Sequence, residues 1–267
     1  MNTPPVLLST SSCYPKSTES AFADAARLGY DGLELMVWKW PETRDPDWLN
    51  DMARSYEVPV MAIHSPTLLL TQRVWGSDAW GKIDRSVELA EAVGAGVVVV
   101  HPPFRWQREY ARDFVAGIAR RQERTQVKLS VENMFPWKAR AKDGSRTKER
   151  HAYLPHWNPV PLDYANVTLD LSHAGIAGMD SLAAARELGE RLAHIHLTDS
   201  TGSNRDEHLV PGRGNQPCRE VLEVLPEIGF TGSIAVEVTT RKMAPEDRET
   251  ALAEALAFAR EYLPSIA

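Results

Sequence analysis

The sequence of 267 residues predicts an α/β chain, residues 1–267 as one domain, closed into a (β/α)8 TIM barrel. Three observations carry that prediction. Segments of strand character and helix character alternate eight times along the chain, the order a parallel barrel requires. The strands include continuous apolar runs, most plainly the four valines from Val97 to Val100, as expected where both faces are covered. Six of the runs end on a histidine, aspartate or glutamate, and the carboxyl ends of strands are where this architecture carries its chemistry.

Taken in order, Val6 to Ser11 is the first strand. Ser17 is a candidate N-cap for a helix with Ala21, Phe22, Ala25, Ala26 and Leu28 at helical spacing, stopped by Gly29. Gly32 to Val37 reads as the second strand, Asp45 to Tyr56 as a helix, and Val60 to His64 as the third strand. A polar and aromatic loop through Trp75 leads to a helix from about Ser77 to Val93. Gly96 to His101 is the fourth strand, about Gln107 to Arg124 one helix, and Lys128 to Met134 the fifth strand. Phe135 to Pro161 is a long polar insertion with many basic residues and little periodicity. Val167 to Leu171 is the sixth strand, followed by a turn at Gly175; Ser181 to Leu192 is a helix and Ala193 to Thr198 the seventh strand. A Gly-rich loop, Asp199 to Pro217, precedes a helix from Arg219 to Ile228. Gly232 to Val238 is the eighth strand, and Pro245 to Tyr262 the last helix.

A formal net charge of −6 advertises no surface for nucleic acid. Cys13 and Cys218 follow no metal or redox spacing and read as free thiols of a cytoplasmic protein. No basic-then-apolar leader is expected at Met1 to Pro5, and no apolar run approaches the roughly 20 residues that span a bilayer.

The strand ends set out a polar constellation. Val60–His64, Val97–His101, Leu129–Glu132, Ala193–His196 and Ile234–Glu237 each finish on a ligand-type residue, and Val167 runs up to Asp170 with His173 three residues on. Of eight histidines, four lie in these runs and His173 is a fifth, so the imidazoles concentrate where a barrel mouth would be. Side chains alternate along a strand, which aims Glu132, Asp170, His196 and Glu237 inward together. The three close carboxylates would repel and raise one another's pKa without a dication, and the set of three carboxylates and one imidazole suits Mn²⁺, Mg²⁺, Co²⁺ or Zn²⁺. His194, two residues back, reads as a packed or supporting residue one layer lower.

Val-Glu-Asn-Met at 131–134, Asp-Leu-Ser-His at 170–173, His-Ile-His-Leu-Thr-Asp at 194–199 and Val-Pro-Gly-Arg-Gly at 210–214 resemble the xylose isomerase-like TIM barrel superfamily. That superfamily contains sugar isomerases and epimerases, inosose dehydratase and endonuclease IV. The resemblance runs from Gly-Tyr-Asp-Gly-Leu-Glu at 29–34 to Glu237. Its ketose epimerase branch implies one metal on Glu132, Asp170, His196 and Glu237. Glu132 and Glu237 would move a carbon-bound proton on opposite faces, and His173 would contact a substrate hydroxyl. That branch usually carries an arginine where this chain has His208.

The endonuclease IV pattern implies three zinc ions instead. His64, His101 and Glu132 would hold the first; Glu132, Asp170, His196 and Glu237 the second; His173, Asp206 and His208 the third. Against a DNA substrate stand the acidic charge and the loop Ser-Pro-Thr-Leu-Leu-Leu after His64, which has no aromatic wedge at Thr67. Arg73, Trp75, Arg105, Trp106, Trp137, Lys138 and Arg140 on rim-side loops suit a phosphorylated sugar as readily as a nucleic-acid backbone. Gly212, Arg213 and Gly214 are a candidate phosphate-receiving turn.

The expected activity is therefore a divalent-metal-dependent isomerase or epimerase acting on a small sugar or sugar phosphate. Zn or Mn is expected as the metal, in one to three ions, and an endonuclease IV-like phosphoester hydrolase is the alternative. Substrate contacts are expected from His208, Arg213, Trp106 and Glu34. No nucleic-acid or membrane partner is expected, and a homo-oligomer is left open.

Overall fold

The computed structural model describes residues 3–67, 71, 73–140 and 147–264. Its strands, in chain order, are β1 (Val6–Ser9), β2 (Gly32–Met36), β3 (Val60–His64), β4 (Val97–Val100), β5 (Lys128–Glu132), β6 (Trp137–Arg140), β7 (Thr147–Arg150), β8 (Asn166–Asp170), β9 (Leu192–Leu197) and β10 (Ser233–Val236). All but β6 and β7 close into one parallel barrel, in the order β1-β2-β3-β4-β5-β8-β9-β10 and back to β1. Around it lie α1 (Thr18–Leu28), α2 (Pro46–Tyr56), α3 (Ala79–Val93), α4 (Arg108–Arg112), α5 (Phe114–Gln122), α6 (Leu171–Ala177), α7 (Ser181–Leu188), α8 (Cys218–Val224) and α9 (Pro245–Tyr262). Among the described residues no helix is long and apolar enough to cross a membrane.

Local signals set the helix ends. Ser17 Oγ accepts the Ser20 N–H at 3.2 Å, and Gly29 closes α1 with φ +87°, a left-handed conformation that costs glycine little. Asp45, Asp78 and Asp180 cap α2, α3 and α7 in the same way.

Two apolar layers follow from strand alternation. Val97 and Val99 point inward with Leu7, Ala62 and Ala235 to fill the barrel floor. Val98 and Val100 point outward into the larger core between strands and helices. The inward set continues upward as polar groups, beginning with Thr168 Oγ1, which donates to Ser130 Oγ at 2.6 Å.

Four expectations need correction. The polar insertion is not without regular structure: β6 and β7 pair antiparallel, Trp137 opposite Arg150. The segment after Asp170 is a helix, α6, not a turn at Gly175. Asp170 Oδ1 accepts the His173 N–H at 2.7 Å as its N-cap, and the helix ends at Gly178. Gly175 is needed there for close approach, because a Cβ would stand 2.6 Å from Gln216 Nε2 and 3.0 Å from the Ser200 side chain. The helix expected over 107–124 breaks at Asp113 (φ −125°) into α4 and α5, with Tyr110 and Phe114 both packed on Trp80. The helix expected to reach Leu192 stops at Leu188, and Leu192 instead opens β9.

Candidate active site

The barrel mouth is organised on His196. Its Nε2–H donates to Glu34 Oε2 at 3.0 Å, and a carboxylate can only accept, so Nδ1 is the free nitrogen. Around Nδ1 stand Glu237 Oε2 at 3.0 Å, Glu132 Oε1 at 3.3 Å and Asp170 Oδ2 at 3.4 Å. The four residues aimed inward by strand parity therefore do meet, although Glu237 lies one residue past the end of β10.

Glu132 faces two ways. While Oε1 looks toward His196, Oε2 lies 2.7 Å from His101 Nε2 and 3.4 Å from His64 Nε2. His64 Nδ1 lies 3.2 Å from the Ser65 carbonyl and donates to it, leaving Nε2 turned inward. On the other side, His173 Nδ1 donates to the Asn133 carbonyl at 2.9 Å, and its Nε2 is 3.4 Å from Asp206 Oδ2. His208 Nδ1 donates to the Glu237 carbonyl at 2.9 Å, and its Nε2 is 2.9 Å from Asp206 Oδ1.

His208 has φ +44°, a left-handed backbone rare for a non-glycine residue. Three bonds over-determine it. Its N–H donates to Ser172 Oγ at 3.3 Å, its ring to Glu237, and its carbonyl accepts the Thr239 N–H at 2.8 Å.

The electrostatics oppose burial throughout. Burial pushes the Glu132 carboxyl up, yet His101 and His196 outweigh it and hold Glu132 well below the usual carboxylate range. Glu237 is likewise pushed up by burial but brought down to about 2, chiefly by His196. Burial lowers His196 and His208; their carboxylate neighbours reverse this, taking His196 well above its usual value and His208 to about 10. Burial also disfavours charge on Asp206, but His208 and His173 hold it far below the normal range.

The donors fit a divalent cation. Glu132 Oε2, Asp170 Oδ2, His196 Nδ1 and both ring nitrogens of His101 are buried without a hydrogen-bond partner among the described residues. Several lie within 3.5 Å of one another, yet they are misaligned for hydrogen bonding and point at shared positions between them. That is how ligands stand around an ion, and Glu132/Asp170/His196, His64/His101/Glu132 and Asp170/His173/His208 are each compact enough to hold one.

The remaining sequence candidates are placed differently. Glu34, expected to touch substrate, is wholly buried beneath His196 and accepts from both His194 (2.9 Å) and His196. It sits below the mouth, and His194 lies in the same lower layer, its Nδ1 2.8 Å from Ser233 Oγ. Arg213 is ion-paired with Glu254 and does not line the mouth. Trp106 is half exposed and stacks on Phe104 with centroids 4.6 Å apart, so Phe104 forms the wall of the mouth itself. The side chains of Lys138 and Arg140, and Leu68 to Leu70, lie outside the described residues.

Two contributors were not singled out from sequence. Asn133 accepts the Asp170 N–H at 2.7 Å and donates to the Asp170 carbonyl at 3.0 Å, pinning the backbone of that residue. Ser11 donates to Glu237 Oε1 at 2.9 Å. Asn133 sat within the Val-Glu-Asn-Met segment, but Ser11 carried no signal at all.

The chain is thus a closed parallel (β/α)8 barrel whose mouth gathers carboxylates and imidazoles. The chain matches the xylose isomerase-like TIM barrel family over residues 22–262, and it belongs to that family. It is 47% identical to protein Rv0498 of Mycobacterium tuberculosis over 270 residues, covering 96% of each chain. It is 23% identical to fructoselysine 3-epimerase of Shigella flexneri, over 84% of this chain and 86% of that one. A crystal structure of a D-tagatose 3-epimerase-like protein superposes with a TM-score of 0.67 at 20% identity, covering 96% of this chain and 98% of the other.

Proposed function

We propose that the protein is a divalent-metal-dependent epimerase or isomerase of a small sugar. The observation that carries this reading is the pair Glu132 and Glu237, two ionised carboxylates beside one imidazole nitrogen at 3.3 and 3.0 Å. Similarity to a fructoselysine 3-epimerase supports it. Glu132, Asp170, His196 and Glu237 would hold the ion, with zinc or manganese the best match to the donor set. A bound dication there supplies Lewis-acid polarisation of a carbonyl and its neighbouring hydroxyl.

The chain's own groups do the rest. Glu132 and Glu237 take and return the proton of a carbon held between them, each kept ionised by nearby imidazoles. Ser11 steers Glu237 through its Oε1. His173 and His208, each fixed through Nδ1 by a backbone carbonyl, turn Nε2 to Asp206, and this trio lines the cavity where substrate hydroxyls would lie. Phe104, Met134, Phe135 and Tyr153 wall a cavity of about 250 Å³, which suits one small molecule and keeps water from the transferring proton.

Incubation with ketoses and their phosphates in deuterated water tests this reading. Deuterium should enter a sugar carbon with no phosphate released. Phosphoester cleavage without exchange would overturn it.

One observation favours a second reading, phosphoester hydrolysis at several metals. Glu132 turns one oxygen to His196 and the other to His64 and His101, so it belongs to two groups that could each hold an ion. Elemental analysis of the purified protein separates them: one ion per chain accords with epimerisation, two or three with hydrolysis.

A further inference from the structure

Beyond the carboxylate centre the mouth opens into a second and larger cavity. It measures about 480 Å³ against about 250 Å³ for the first, and the two share Met36, Asp206, His208 and Glu237 on their linings. The shared residues make them neighbours, with Glu237 on the lining of both. A monosaccharide held between Glu132 and Glu237 fills only the inner part, and the outer part has a composition of its own.

Three aromatic side chains from the segments following β1 and β2 build its wall. Tyr14 and Trp40 lie near parallel, with ring centroids 6.2 Å apart and planes inclined by 23°, and Trp38 is tilted 51° to Trp40 at 6.3 Å. Tyr14 is 43% exposed and both tryptophans are partly buried, and all three line the cavity. Hydroxyls complete the lining. Thr10 Oγ1 accepts the Met36 N–H at 2.9 Å and keeps its own proton to give, and Thr239 is exposed at the junction side next to Val238. Of the two cations, Lys16 is held by Asp24 at 2.9 Å, and Arg241 is exposed.

Rigid aromatic faces bind the C–H faces of a pyranose and hydroxyl groups serve its oxygens, so this wall suits a sugar ring. We propose that the Tyr14–Trp38–Trp40 groove is a second subsite, which binds the non-reacting sugar ring of a ketose disaccharide or glycoside while its reacting unit lies at Glu132 and Glu237. The inference rests on the epimerase reading for the identity of the reacting unit. The aromatic subsite itself is detectable by binding alone.

The test compares D-fructose with the ketose disaccharides lactulose, isomaltulose and turanose on the metal-loaded protein. Saturation-transfer NMR reports which ring touches the protein, and calorimetry gives the affinities. At least one disaccharide should bind about tenfold or more tightly than fructose, with saturation on both rings. Trp40→Ala should abolish that advantage and the saturation of the second ring while leaving fructose binding unchanged. Trp40→Phe, which keeps an aromatic face, should restore most of both and controls for folding. If no disaccharide exceeds fructose, or if Trp40→Ala weakens both sugars equally, the subsite is overturned. Solvent deuterium exchange on the same sugars separates the two ideas. Trp40-dependent disaccharide binding without exchange at carbon would uphold the subsite and sink the epimerase reading.

Discussion

Replacing Glu34 by Gln probes the base of the site without touching its mouth. Glu34 is fully buried, and its Oε2 accepts from His194 at 2.9 Å and from His196 at 3.0 Å. A Gln carbonyl oxygen can accept the same two N–H groups but carries no charge. Charge-assisted bonds contribute about 1.5–3 kcal/mol and neutral ones about 0.5–1.5, so each bond weakens by about 1 kcal/mol and the pair by about 2. For a chain of this size that lowers Tm by about 4–8 °C. The same change removes the negative charge that raises the basicity of His196, which should weaken metal binding by about 10- to 100-fold. Calorimetric melting of the metal-free protein reads the first effect, and competition with a chromophoric zinc chelator reads the second. A Glu34→Gln protein with lowered Tm but wild-type metal affinity would refute the reasoning, because His196 Nδ1 would then not be a ligand oriented from below.

Three further outcomes are expected. His208→Ala should lower kcat/KM by about 1.5–3 kcal/mol, roughly ten- to a hundredfold, as loss of one substrate hydrogen bond with partial charge; a fall beyond a thousandfold with loss of bound metal would make it a ligand instead. The metal-free protein should lose stability as pH rises from about 6.5 toward 10, followed by thermal melts. His208 is raised from 6.5 to about 10 by Asp206 despite burial, so the native state binds the extra proton and its contribution, full below 6.5, disappears as that proton leaves. A flat profile in that window would show that the Asp206–His208 pair does not form. Gly232→Ala should cost about 1–3 kcal/mol in urea unfolding, because its Cβ would strike the Ala193 carbonyl on the neighbouring strand; an unchanged midpoint would place that backbone farther away.

Much of this protein was legible from its sequence because the relevant signals are local. Period-2 alternation alone separates Val97 and Val99, which face the barrel interior, from Val98 and Val100, which face the helices. The same parity aimed Glu132, Asp170, His196 and Glu237 at one place, and a right-handed parallel barrel brings strand ends together whatever their separation along the chain. Asp170 was recognised as a strand-end carboxylate, whereas its second role as N-cap of α6 was not. An Asp followed by Leu-Ser-His reads equally as a turn until the helix packs.

Other features depended on closure of the barrel. Glu34 reaches His196 across 162 residues of sequence, and Ser11 reaches Glu237 across 226, so no window along the chain could pair them. Whether Glu34 touches substrate or underpins a ligand turns on its depth in the barrel, and depth is set by strand stagger, which hydrophobic pattern does not encode. The rings of Tyr14, Trp38 and Trp40 belong to segments that follow different strands and become one wall only because β1 and β2 are neighbours in the sheet. The sequence by itself thus determined which residues carry chemistry and toward which side of each strand they point. Their depth, their partners and the shape of the space they enclose were decided by tertiary structure, since those are properties of contacts between strands, and strand alternation specifies only a side chain's face.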